Sequence, residues 1–173
     1  MQPAKKLLIN PGFSIIEIVV FLAIIALLAT ITLTNFWFLQ HSVVQLELSQ
    51  IQAAFDYTRQ LAIATNQVQI ITFDQVNHSY NYGKYSNQLS NYSRFGYAPN
   101  TYGPPSDPKM PITQAVTFDH QQALISPQGV IAPGTVYLTD QQHKLTYALT
   151  APLAQITLMR KYKNLNGRWE NIN

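Results

Sequence analysis

Residues 13–34 read FSIIEIVVFLAIIALLATITLT, and the reading of this stretch decides the fold. Ile18–Ala29 is an unbroken apolar run of twelve, and only Ser14, Glu17, Thr30, Thr32 and Thr34 interrupt the wider segment. As a helix these 22 residues rise about 33 Å, against a bilayer core of about 30 Å. The stretch therefore predicts a transmembrane helix, drawn over 13–38 so that Phe36, Trp37 and Phe38 form an interfacial belt. A buried core helix is the alternative. Lys5 and Lys6 precede the run and no Lys or Arg follows until Arg59, which predicts a cytoplasmic N-terminus and an outer C-terminal part. A cleaved secretory signal fits less well, because its apolar core is shorter and no small-x-small site follows here.

Glu17 is the residue out of place. A carboxylate inside such a span costs on the order of 2–3 kcal/mol near its centre, so it is a functional candidate by default. It lies four residues after Phe13. A chain cut before Phe13 would place its new amino group close to this carboxylate, on the same or a neighbouring subunit. The alternative is a side chain that snorkels to the interface.

Beyond the span, Val44, Leu48, Ile51, Phe55, Thr58 and Ala62 recur at steps of four and three. That stripe predicts an amphipathic continuation of the helix over 39–66, with Glu47, Asp56 and several Gln on its polar face. Val68–Asp74 (VQIITFD) then reads as a strand. Residues 77–111 change character, holding six of the ten tyrosines, five of the ten prolines and three of the seven glycines. This is a long variable loop, with a hairpin expected around Gly83; it reads equally as contact surface and as plain connection. Ala115–Asp119, Gly134–Asp140, Lys144–Thr150 and Ala154–Tyr162 have strand character, and Asp140–Lys144 suits a hairpin turn. The predicted fold is α+β, a long N-terminal helix packed on a C-terminal antiparallel β-sheet region.

Composition excludes several classes. Charged residues are 11% of the 173, against roughly 25% in a typical soluble protein, which disfavours charged rods and acidic tails. There is no cysteine, hence no disulfide, thiolate metal site or cysteine nucleophile. His41, His78, His120 and His143 are scattered without metal-ligand spacing. No phosphate-cradling glycine loop and no Gly-x-Ser-x-Gly elbow occurs. No metal, cofactor or enzymatic activity is expected.

Gly12-Phe13-Ser14-Ile15-Ile16-Glu17, after a short Lys-bearing leader and before an apolar helix, resembles the processing motif of type IV pilins and type II secretion pseudopilins. The resemblance implies a leader 1–12, cleavage by a prepilin peptidase between Gly12 and Phe13, N-methylation of Phe13, and an assembly role for Glu17. Thr34 stands where major pilins usually carry a helix-kinking proline. Tyr57-Thr-Arg-Gln-Leu-Ala-Ile-Ala64, Ile125-Ser-Pro-Gln-Gly129 and Gly134–Asp140 are similar to the corresponding segments of GspH/FimT-like minor pseudopilins. This likeness implies a pilin-like fold with a periplasmic β-rich domain over 67–173, stored in the bacterial inner membrane and assembled into a pseudopilus or pilus. The implied partners are other pilins, the prepilin peptidase, the inner membrane and assembly-platform proteins.

Arg160, Lys161, Lys163 and Arg168 fall within nine residues beside Tyr162 and Trp169, a composition suited to nucleic acid. Gly167-Arg168 resembles part of the DNA-contact motif of FimT-like pilins, so a DNA-uptake minor pilin is the alternative function. A solvated tail and contact with another subunit are the competing readings. Loss of Lys5 and Lys6 on processing leaves nine basic against eight acidic residues, a weak balance for binding DNA.

Overall fold

A computed structural model describes residues 14–151 and 159–172, and within that range only the backbone of 31–41. Helix α1 runs Ile15–Thr65, its described side chains falling into the stretches 15–30 and 42–65. The chain divides into two compact units, Met1–Phe38 and Leu39–Asn173, so these two stretches belong to different units. The leader 1–12, Phe13, and Ile156 and Leu158 of the expected strand 154–162 lie outside the described residues, as do the side chains of Thr34 and Phe36–Phe38.

The expected transmembrane helix is corrected. Among the described residues, no helix is long and apolar enough to cross a membrane. The described apolar stretch, 15–30, is sixteen residues, and rises about 24 Å against the roughly 30 Å of a hydrocarbon core. With it the assignment of a single-pass inner-membrane protein, cytoplasmic at its N-terminus and periplasmic beyond, is withdrawn.

The expected architecture, one long helix on one sheet region, is corrected as well. Within the unit Leu39–Asn173 the stretch 42–65 packs on strands, and these strands form two antiparallel sheets rather than one. One has four strands in the order β3-β2-β1-β5, from β1 (Gln69–Asp74), β2 (Ser79–Tyr82), β3 (Tyr85–Gln88) and β5 (Gln122–Ile125). The other has five in the order β4-β6-β7-β8-β9, from β4 (Ser93–Phe95), β6 (Gly134–Asp140), β7 (Thr146–Ala151), β8 (Arg160–Leu165) and β9 (Arg168–Asn171).

The six stripe residues of the helix are all fully buried. Thr58 tolerates this because its hydroxyl donates to the Ala54 carbonyl at 2.7 Å, leaving no unpaired donor. The helix stops at Asn66, whose φ of 50° is the left-handed cap, and the Gln67 amide reaches back to the Ala62 carbonyl at 3.2 Å. Ile71 and Phe73 of β1, Tyr80 of β2, and Val136, Leu138, Tyr147 and Leu149 of the five-stranded sheet complete one core with the helix. At its centre the Phe73 and Phe118 rings stack at 6.0 Å, while Phe95 stands edge-on to Phe73 at 5.9 Å. Gly134 makes room for them, since a Cβ there would lie 2.4 Å from Phe118 Cδ1.

The tyrosine-rich region 77–111 is not one loop. Its first part is the β2–β3 hairpin, turning through Gly83 at φ 54°, as the sequence suggested. Its last part covers the outer face of the five-stranded sheet. Every residue of β7 is buried, so neither of its faces meets solvent. Ile112, Tyr137 and Ala148 form a second small core there, with Tyr97, Tyr162 and Trp169 packed against it. The expected strand 115–119 is reduced to a bridge between Val116 and Val136, and the strand over 144–150 lies at Thr146–Ala151. The turn 140–144 falls where expected: buried Asp140 accepts the amides of Lys144 and Leu145 at 2.8 and 3.0 Å.

Candidate functional site

The first candidate is the stretch 15–30. Ser14 opens it, its carbonyl accepting the amides of Glu17 at 3.0 Å and Ile18 at 3.2 Å. Glu17 is the one ionisable residue of the stretch and is solvent-exposed in the first turn. The large apolar side chains from Ile15 to Leu28 are between 46% and 82% exposed. They lie on all sides of the helix, so no polar face is available to meet water. A helix apolar all round is stable only when other apolar surface covers it. Gly12 and Phe13, the expected cleavage and methylation positions, lie outside the described residues.

The second candidate is the basic C-terminal cluster, which is a β-hairpin rather than a tail. Asn166 and Gly167, at φ 50° and 83°, turn β8 into β9 as a tight two-residue loop does. Pairing then decides which cations share a face. Lys161 and Lys163 stand opposite Leu149 and Tyr147 of β7, on the face turned to the helix. There Lys161 Nζ donates to Ser49 Oγ at 3.4 Å, and Lys163 Nζ lies 5.8 Å from the Tyr147 ring centroid. Arg168 pairs with Leu165 and shares that face, but Glu170 sits directly across from Lys163. Arg160 is on the other face with Tyr162 and Trp169, because side chains alternate along a strand. Trp169 is committed elsewhere, its Nε1 donating to the Tyr102 carbonyl at 2.7 Å. The four cations and two aromatics do not converge on one surface.

Among the described residues no group of three His, Asp or Glu side chains could hold a metal ion. Asp119 and His120 approach to 3.7 Å, but both are more than four-fifths exposed, where an ion pair is worth little. His78 borders a small cleft with Ser93, Arg94 and Gln141. Its Nδ1 accepts the Phe95 amide at 3.3 Å. Burial first, then the nearby Arg94 charge, push its pKa below the ordinary 6.5, so it is held neutral.

One residue lies on the opposite side of the helix from the one its spacing predicts. Glu47, expected on the polar face, is only 6% exposed. Its carboxylate accepts the Ser90 amide at 2.7 Å and the Ser93 hydroxyl, tying the helix to the start of β4. Hydrophobic periodicity counts apolar residues and has no means of finding a carboxylate whose partners lie more than forty residues away. No protein-family model, curated protein or solved structure matches the chain.

Proposed function

We propose that the chain is a subunit of a filament of the type IV pilin or type II secretion pseudopilin class, joined to its neighbours through the stretch 15–30. The observation that carries this reading is the exposure of every large apolar side chain from Ile15 to Leu28, around a single carboxylate. Patches of that kind mark association surfaces. The Gly12–Glu17 motif supplies the chemistry of joining. Cleavage after Gly12 by a prepilin peptidase creates an amino group on Phe13, and methylation leaves its positive charge in place. Phe13 precedes Glu17 by four residues, about 6 Å along a helix. A neighbour shifted along the bundle by that amount brings its amino terminus to the Glu17 carboxylate. The charges compensate each other while the apolar side chains bury one another. Other pilins or pseudopilins, the peptidase and assembly-platform proteins are the partners this implies.

Two measurements on the protein from its native cells test the reading. Mass spectrometry of the N-terminus should find methylated Phe13, and Gly12→Val should leave the leader attached. Glu17→Val should be processed normally, yet fail to co-purify with filament partners. An uncut N-terminus in cells that contain the peptidase, or wild-type incorporation of Glu17→Val, would refute it.

A further inference from the structure

The helix and the β2–β3 hairpin border an open cleft of about 400 Å³ that plays no part in joining subunits through the stretch 15–30. That volume lies within the roughly 300–1,000 Å³ of small-molecule sites. Its construction follows from spacing. Gln50, Ala53, Ala54 and Tyr57 fall at i, i+3, i+4 and i+7, which is one face of the helix. On the hairpin Tyr82 is paired directly with Tyr85, and Tyr80 with Asn87, so these four side chains share one face. The two alanines are too short to fill the space between the elements and leave a floor.

The walls are three tyrosines. Tyr57 stands edge-on to Tyr82 at 5.9 Å and 73°, and to Tyr85 at 5.6 Å and 74°. Tyr82 and Tyr85 are 5.5 Å apart, so the rings form a corner with two nearly perpendicular walls. Tyr57 and Tyr85 remain 40% and 43% exposed, a large fraction for rings with this many aromatic neighbours. The polar heads in the cleft are amides and phenols, with no carboxylate, guanidinium or ammonium in its lining. Asn87 is held in place by its Nδ2, which donates to Tyr80 Oη at 3.3 Å and leaves Oδ1 for a ligand. Lys84 stays at the rim, its Nζ 5.5 Å from the Tyr85 centroid.

We infer that this cleft binds a neutral carbohydrate. A pyranose ring has an apolar C–H face, which lies on an aromatic ring, and an edge of hydroxyls that both donate and accept. Gln50, Asn87 and the phenols offer both functions in return. The lining carries no charge of its own to pair with a sialyl, sulfate or phosphate group, and Lys84 lies outside it beside the Tyr85 ring. A proline-rich peptide also docks on aromatic grooves, but its prolines carry acceptors and no donor, which would leave the accepting half of each amide unused. The inference is independent of the filament reading, because it involves no residue of the stretch 15–30.

The test uses the full chain in a non-glycosidic detergent, titrated with cellopentaose, maltopentaose and chitopentaose, with a polyproline decamer alongside. Saturation-transfer NMR and calorimetry read the binding. One of the sugars should bind saturably, and Tyr57→Ala, Tyr85→Ala and Ala53→Leu should each weaken it by about tenfold or more. Tyr92→Ala, a tyrosine of similar exposure outside the cleft, should bind as the wild type does. Thermal unfolding checks that each variant is folded, and the two tyrosine variants carry the test if Ala53→Leu is not. Failure of all three sugars to saturate, or binding unaffected by the cleft variants, would overturn the inference. So would saturable binding of the polyproline peptide in place of the sugars.

Discussion

Residues 15–30 and 42–65 of one helix are both rich in Ile, Leu, Val and Ala, yet they do opposite things. In the second stretch the stripe from Val44 to Ala62 repeats at 3.6-residue spacing and is fully buried against two sheets, while Leu46 and Ile63, off the stripe, stay exposed. In the first, apolar residues occupy every side and are exposed. The lesson is that hydrophobicity alone does not say what will cover a helix. A stripe specifies a partner within the same chain, whereas an unbroken apolar surface asks for one outside it.

Substitutions separate the two stretches, beginning with the largest effect. Phe55→Ala removes a fully buried ring in contact with Phe73 and Phe118, and should cost about 3–5 kcal/mol in urea unfolding of the 39–173 unit. Glu47→Ala deletes the acceptor for Ser90 and Ser93 and should cost about 2–3 kcal/mol in the same experiment. Gly134→Ala, driven against Phe118, should cost about 1–3 kcal/mol. Leu22→Ala, at a 59% exposed position, should change the unfolding of that unit by less than about 0.5 kcal/mol. A large loss at Leu22 would mean that the first stretch is covered from within the chain, and the comparison would collapse.

A smaller effect follows from His78. Its folded pKa is lowered, so the unfolded chain takes up the proton more readily. The associated stability is fully present above the unfolded value near 6.5 and is lost as pH falls through the folded value. His78→Asn tolerates the φ of 49° and should flatten the stability profile in that window. An unchanged acid slope in the variant would assign the loss to other groups.

The sequence was most legible where a local period carries the information. The stripe from Val44 to Ala62, the strand at 69–74, the hairpin at Gly83 and the strand at Gly134–Asp140 all follow from spacing and turn chemistry. It was least legible where the partner is distant in the chain. Nothing near Glu47 announces Ser90 and Ser93, and nothing near Tyr97 or Trp169 announces a second core over Ala148. The basic cluster shows the same limit. Four cations in nine residues look like one patch until strand alternation and the Asn166-Gly167 turn place Arg160 on the opposite face. The apolar run misled in another way, because hydropathy over 13–34 counts residues for a membrane span that the described helix does not provide.

In the proposed filament the stretch 15–30 is covered by other copies or homologues of this chain, with Glu17 joining them. The absence of native cysteine allows a direct test, because a single Leu22→Cys substitution reports contact without background. Oxidative crosslinking in cells, read on a non-reducing gel, should give a disulfide-linked dimer of Leu22→Cys, the largest species one thiol per chain allows. Adding Glu17→Val should abolish the dimer while leaving the processed monomer at its normal level. A dimer that survives Glu17→Val would contradict the joining role of Glu17, and monomer alone in both variants would contradict the covering of this stretch by copies of the chain.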